Sequence, residues 1–437
     1  MRCRPSLLPT LLIAAVIATP PVSAEEAIDP SQYVSREEYE KLKSEFEAFK
    51  KEMRQTRTTV TPDSATQEQF DYLEAELEIV RALAQTSQAG STRFLVTGYA
   101  TTGFTDRDGS NSTFSAGFNP IFLWELNDRL LSETELELEL TSGDHGGETE
   151  TELEYAHASY LVNDSVTVGA GKFLTPFGIF GERLHPAWIN KLPDAPLAFS
   201  HDGLAPMASI GAYVRGGVPV GDSMKGNYAF YLSNGPTLNI GDDEPEEAGF
   251  LHFNNNSDSD NNKAFGGRVG LLPIPELEIG YSFQYSKVQP DDFTAVDVVL
   301  HAVDVSYVRD SDELGGVIDV RFEWVWSDVD DATYDADGSL GFGPTRFNNS
   351  REGGYVQVAY RPSKSGNKVI KKLEGVVRYD WLDNPDDAPE SFDEQRYTFG
   401  LNYWLTPSTV LKAAYQMDDK DGAEDTDAFL IQAAIGF

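Results

Sequence analysis

Cysteine is nearly missing. Cys3 is the only one in 437 residues, so the chain cannot build a disulfide framework. Basic residues are scarce beside acidic ones, 34 against 71, and a nucleic-acid partner is not expected of such a balance. After residue 24 there is no run of about eighteen apolar residues, which removes a transmembrane helix. The usual catalytic signatures are also missing: no G-x-S-x-G, H-E-x-x-H or P-loop occurs. "HDG", "DADG" and "DKDG" start like calcium loops, but none runs on to the terminal Glu. The six histidines show no metal spacing. Neither an enzyme nor a resident metal or cofactor is expected; loose holding of divalent cations by the acidic loop tips stays open.

The first feature present is a leader. Arg2 and Arg4 precede an apolar run, Leu7 to Ala18, and "TPPVSA" ends at Ala24. A charged start, a short apolar stretch and a small-residue site form a secretory signal peptide, residues 1–24, so the mature chain is expected to begin at Glu25. Cys3 and two of the basic residues leave with it, and the remainder carries an excess of 39 negative charges. An exported chain without a spanning helix can still enter a membrane, but only as a closed β-barrel. Hydrocarbon offers no partner to an unpaired backbone N–H or C=O.

Residues 25–92 read as a periplasmic coiled-coil and linker segment. Tyr39, Leu42, Phe46, Phe49 and Met53 are spaced three and four apart, and Phe70, Leu73, Leu77, Val80 and Ala84 repeat the pattern beyond Pro62. Such a seam has to bury against something. Partner copies are one solution, and a helical hairpin folding on itself is the other.

From Arg93 the period changes to two and stays so to Phe437. "ELEIGYSFQYS" sets Leu277, Ile279, Tyr281, Phe283 and Tyr285 against Glu278, Gly280, Ser282, Gln284 and Ser286. Runs of this kind, about ten to thirteen residues long with aromatic ends, alternate between short and long polar connections. The prediction is an all-β transmembrane barrel over 93–437, about sixteen antiparallel strands, with short turns and both ends on the periplasmic side. In "ETELELEL" the leucines then face lipid or a neighbouring subunit. Glu133, Glu135, Glu137 and Glu139 face a watery lumen, joined by Glu152 and Glu154.

The same parity puts Arg215, Arg268, Arg321, Arg378 and Arg396 on the lumen wall, with Lys372 and Lys412. Asp304, Asp319, Glu323, Glu374 and Asp380 are interspersed. One connection is unlike the rest. Residues 174–206, the third external loop, are rich in Phe, Leu, Pro and Trp, where an exposed loop should be polar. Folded into the barrel, that loop would narrow the pore. Glu182, Arg183 and Lys191 would then touch the passing solute, and His185, Asp194, His201 and Asp202 would complete its polar surface.

"GKFLTPFG" at 171–178, "LNYWLTPSTVLKAAYQ" at 401–416 and the terminal "IQAAIGF" together resemble the phosphate-selective porin O and P family of Gram-negative outer membranes. The resemblance implies a sixteen-stranded trimeric barrel seated among outer-membrane lipid and lipopolysaccharide. It implies passive diffusion of small ions and hydrophilic solutes, phosphate or other anions among them, and a terminal aromatic of the kind read in barrel assembly. The arginines here do not align with the family's arginine ladder, and the acidic wall opposes a pure anion channel. The alternative is a structural barrel tied through its coiled coil to a periplasmic or cell-wall partner.

Overall fold

The computed structural model describes residues 93–437 except 142–147, 201–202, 241–246, 254–260, 290–294, 336–337, 339–342, 386, 389–391 and 422. The leader and the segment 25–92 lie outside the described residues, and so do His201 and Asp202.

Sixteen antiparallel strands close a barrel. They are β1 (Arg93–Arg107), β2 (Thr113–Asn127), β3 (Leu130–Thr141), β4 (Glu148–Asn163), β5 (Val166–Leu174), β6 (Ala208–Val220), β7 (Met224–Asn234) and β8 (Lys263–Ile274). The second half is β9 (Leu277–Val288), β10 (Val296–Ser311), β11 (Gly316–Val329), β12 (Asn349–Arg361), β13 (Leu373–Asp383), β14 (Glu394–Thr406), β15 (Thr409–Lys420) and β16 (Thr426–Gly436). Each strand pairs with its sequence neighbours, and β1 pairs with β16 to complete the ring. At that seam Gly98 and Phe437 exchange backbone hydrogen bonds of 3.1 and 2.9 Å. A two-stranded hairpin, Thr237–Leu238 with Leu251–His252, sits apart from the ring.

The connections at 128–129, 164–165, 221–223, 275–276, 312–315, 362–372 and 407–408 all leave one rim, the one that also holds the start of β1 and the end of β16. The long connections, 175–207 and 235–262 among them, leave the other rim. Lys372, expected on a strand, instead ends a short 3-10 turn before β13 and donates to the Leu405 carbonyl at 2.9 Å.

The period-two pattern is what orients each strand. On β9, Ile279 and Tyr281 are 46% and 43% exposed, while Ser282, Gln284 and Ser286 are at most 2% exposed. On β14, Phe399 and Leu401 point outward and Thr398 and Asn402 inward. Large apolar side chains therefore cover the outer surface, and small and polar ones fill the interior. That is the reverse of a water-soluble sheet and the expected state of a barrel bathed in hydrocarbon. Rings collect near the rims: Phe94 packs with Phe122 and Trp124 at the short-turn end. Towards the other end the Tyr285 and Tyr415 hydroxyls donate to Asp297 and Asp427 at 2.8 and 2.5 Å. An aromatic with one apolar body and one wet tip suits that boundary.

No described helix is long and apolar enough to cross a membrane. The strands supply the crossing. An outward Phe399→Arg substitution should therefore lower the stability of the lipid-embedded barrel by about 2–4 kcal/mol. Urea titration of the protein folded into vesicles would show it as a lower midpoint, and an unchanged midpoint would remove Phe399 from the lipid face.

Candidate functional site

The connection 175–207 lies against the inner face of the wall. Its start is set by Gly178, whose φ is +66°. A Cβ there would lie 2.2 Å from Glu323 Oε2, so only glycine lets the backbone come this close. The approach serves two amides. Gly178 N–H donates to Ser282 Oγ at 3.0 Å and Ile179 N–H to Glu323 Oε2 at 2.6 Å. The Tyr355 hydroxyl donates to the other Glu323 oxygen at 2.6 Å. Phe177, Phe180 and Phe199 then pack with Tyr355 and Val325, which explains why an external loop is so apolar.

Further along, Asp194 is the hub. Its Oδ2 accepts from Arg378 at 3.0 Å, Arg396 at 3.3 Å and Gln416 at 2.6 Å. Arg378, with no exposed side-chain surface, also donates to the Asp194 and Ala195 carbonyls at 3.2 and 3.1 Å and to Asp380 at 2.8 Å. Lys412 Nζ donates to the Ala187 and Leu192 carbonyls at 2.5 and 3.1 Å and to Gln432 at 2.7 Å. Lys191 Nζ pairs with Glu374 at 2.8 Å and sits 5.4 Å from the Trp404 ring centre. Every cation in this group is saturated by carboxylates or carbonyls, as burial of charge requires.

The predicted site residues separate into two sets. Glu182 and Arg183 stand on the open side of the loop: Glu182 pairs with Arg215 on β6 at 2.9 Å, and Arg183 with Glu278 on β9 at 2.9 Å. Arg215 and Arg183 are about two-fifths exposed. With Thr167, Gly216 and Ala229 they border an open space of about 480 Å³. Beside it a space of about 190 Å³ is lined by Glu133, Tyr155, His157 and Tyr213. Lys191 and Arg321 are elsewhere, in a partly open space of about 330 Å³ bordered by the loop's Trp188 and Pro196 and the wall's Trp404.

Arg268, Arg378 and Arg396 do not join the open space. Arg268 is gripped by Asp304 at 2.9 and 2.6 Å and by Glu278 at 2.9 Å, and Arg396 by Asp418 at 2.6 and 2.9 Å. They fasten neighbouring strands and the loop. On β3, Glu135 is buried, Glu133 and Glu137 are half-buried and Glu139 is exposed. Between β3 and β4 the register slips at Glu135/Leu136; the extra residue is Glu154, which lies with Glu137 and Glu152. Periodicity could not find that bulge, and it could not find the pinning role of Lys412 or Glu323, which depends on where a distant loop comes to rest.

No family model matches the chain, and no curated protein sequence does. Solved structures do match. An anion-selective porin from Comamonas acidovorans aligns with a TM-score of 0.50 at 12% identity, over 79% of this chain and 100% of that one. The outer membrane channel DcaP of Acinetobacter baumannii gives 0.48 at 13%, over 80% and 100%. OmpT, an outer membrane protein of Vibrio cholerae, gives 0.46 at 13%, over 80% and 99%. At such identities the likeness is one of fold. A closed barrel with an apolar outer surface and this fold is a protein of the Gram-negative outer membrane.

Removing Arg378 leaves Asp194 and Asp380 facing each other in a buried site, at a cost of about 3–5 kcal/mol. In Arg378→Ala, amides of 178–199 should exchange hydrogen about a hundredfold faster or more, with the strands unaffected. Unchanged exchange would show that the clamp does not hold the loop.

His185 supplies a pH test. Burial pushes its imidazole down from 6.5 to about 4, and the neutral ring donates Nδ1–H to the Gly181 carbonyl at 2.6 Å. Unfolded chain takes the proton first as pH falls. The packed loop therefore loses stability from about 6.5 down to about 4, by about 3 kcal/mol at the lower end. Exchange in the loop should accelerate over that window in the wild type and less so in His185→Asn. Equal acceleration in both would assign the effect to other groups.

Proposed function

We propose that the chain is a porin: a water-filled outer-membrane barrel through which small ions and hydrophilic solutes diffuse passively, narrowed by the inward-lying loop 175–207. The observation that carries this reading is the asymmetry of the lumen. The loop is fastened to β9–β16 and leaves open the side bordered by Glu133, Arg215, Glu182 and Arg183. Those four residues, with Tyr155 and His157, form the constriction.

Its charge favours cations. Among the described residues, β3 and β4 bring Glu133, Glu135, Glu137, Glu139, Glu150, Glu152 and Glu154 to one wall, answered there by Lys172. The basic residues of the opposite wall are already held by Asp304, Asp418, Asp380 and Glu374. Phosphate selectivity would need arginines free to meet an anion, and among the described residues only Arg183 and Arg215 are substantially exposed at the passage.

A homotrimer is the favoured assembly. Ala158, Ala170 and Ala212 form one outward row across β4, β5 and β6. A row so flat lets two outer walls approach closely. The rest of the outer surface faces lipid, with lipopolysaccharide around the long-loop end.

The test is single-channel recording in a planar bilayer with a potassium chloride gradient. The reversal potential should report cation preference. Arg215→Ala should raise the cation-to-anion ratio roughly thirtyfold, since one charge at about 15 Å and an effective dielectric of about 20 acts on cation and anion by about 1 kcal/mol each with opposite sign. Glu133→Gln should move it the opposite way. Anion preference in the wild type would overturn the selectivity, and a barrel without open-channel steps would overturn the porin.

A further inference from the structure

We propose that Glu137, Glu152 and Glu154 form a divalent-cation site of the calcium type on the lumen wall, with Glu135 as its inner support. One carboxylate oxygen from each of the three lies within 4.8 Å of the others. Two oxygens on one calcium ion stand at most about 5 Å apart, since each is about 2.3–2.6 Å from the metal. The three can therefore close on one ion with small side-chain movements.

Acidic residues gather on many surfaces, and the arrangement here is set apart by the group beneath them. Glu135 is 1% exposed, and its Oε1 is buried without a hydrogen-bond partner. It is two residues from Glu137 on the same inner face, and its charge couples to both Glu137 and Glu154. A buried carboxylate oxygen without a partner is costly, and a cation held on the neighbouring carboxylates would offset that cost.

The backbone is also shaped for the cluster. Glu152 and Glu154, two apart on β4, share the lumen side of the strand, and Glu152 pairs with Glu137. The extra residue at the Glu135/Leu136 slip is Glu154 itself, and three carboxylates from two strands meet there. The compensating positive charge is Lys172 Nζ, 3.3 Å from Glu152 and also donating to the Leu153 carbonyl at 2.5 Å. One ammonium against four carboxylates leaves a strong local excess of negative charge. The donors are all oxygens, with no imidazole or thiolate among them, which selects calcium or magnesium over zinc. The Glu152 side chain is 43% exposed to the lumen, so an ion has an access route and room for water ligands.

The test uses the full-length folded barrel in detergent after treatment with a chelator, and calcium chloride as the probe in equilibrium dialysis. The wild type should take up one saturable calcium per chain beyond the weak uptake of its acidic loops. Glu137→Gln with Glu154→Gln should weaken that component tenfold or more. Glu276→Gln, at the far rim, should leave it unchanged. Gln matches Glu in shape and removes like-charge repulsion, so the fold should survive. Gel heat-modifiability would verify it, and Glu152→Gln alone gives the same reading should the double variant not fold. Equal uptake by wild type and variants would place the ion on the loops and overturn the site. So would the absence of a saturable component up to millimolar calcium, which would mean the carboxylates share protons instead. Binding is measured without a bilayer, so either result leaves the porin reading intact.

Discussion

A backbone N–H or C=O left unpaired in hydrocarbon costs several kcal/mol, and the rest of the structure follows from avoiding that. Sixteen strands satisfy one another only if the first also meets the last, and β1 meets β16 along nine residue pairs. Closure of that size creates an interior too wide for wall side chains to fill. The interior must hold water, a plug or both. The loop 175–207 fills one side, and the space bordered by Glu182, Arg183 and Arg215 takes up the other.

A loop inside a polar lumen cannot be held by apolar burial alone. Phe177, Phe180 and Phe199 give it one greasy contact with Tyr355 and Val325, and Leu192 gives a second with Val376, Ala414 and Leu430. Everything else is charge and hydrogen bond: Asp194 beneath Arg378 and Arg396, Lys412 beneath three acceptors, Glu323 capping two amides with Ser282. The wall's basic residues thereby serve as fasteners. An arginine committed to two carboxylates presents little net field to the lumen, so the count of arginines on the wall overstates its positive charge.

Most of the barrel was legible in the sequence. Alternation such as Ile279, Tyr281 against Ser282, Gln284 names both faces of a strand, and period two leaves no freedom once lipid and water are assigned. The length and apolar character of 174–206 marked the loop as one that packs. Assigning duties to individual residues was harder. Glu182 and Arg183 do stand at the open space, while Lys191, Arg378 and Arg268, which look alike in sequence, are bound elsewhere. Their roles depend on contacts across nearly two hundred residues and on a one-residue slip between β3 and β4, neither of which leaves a local pattern.

Those separations have a consequence for biogenesis. Asp194 finds its partners 184, 202 and 222 residues downstream, at Arg378, Arg396 and Gln416. When 175–207 emerges, none of the groups that will hold it has been synthesised. The loop must wait, with its phenylalanines and tryptophan uncovered, until β13 to β15 have taken their places. Contacts so remote in sequence are slow to form. Seating of the loop and sealing of the β1–β16 seam therefore belong to the same late stage.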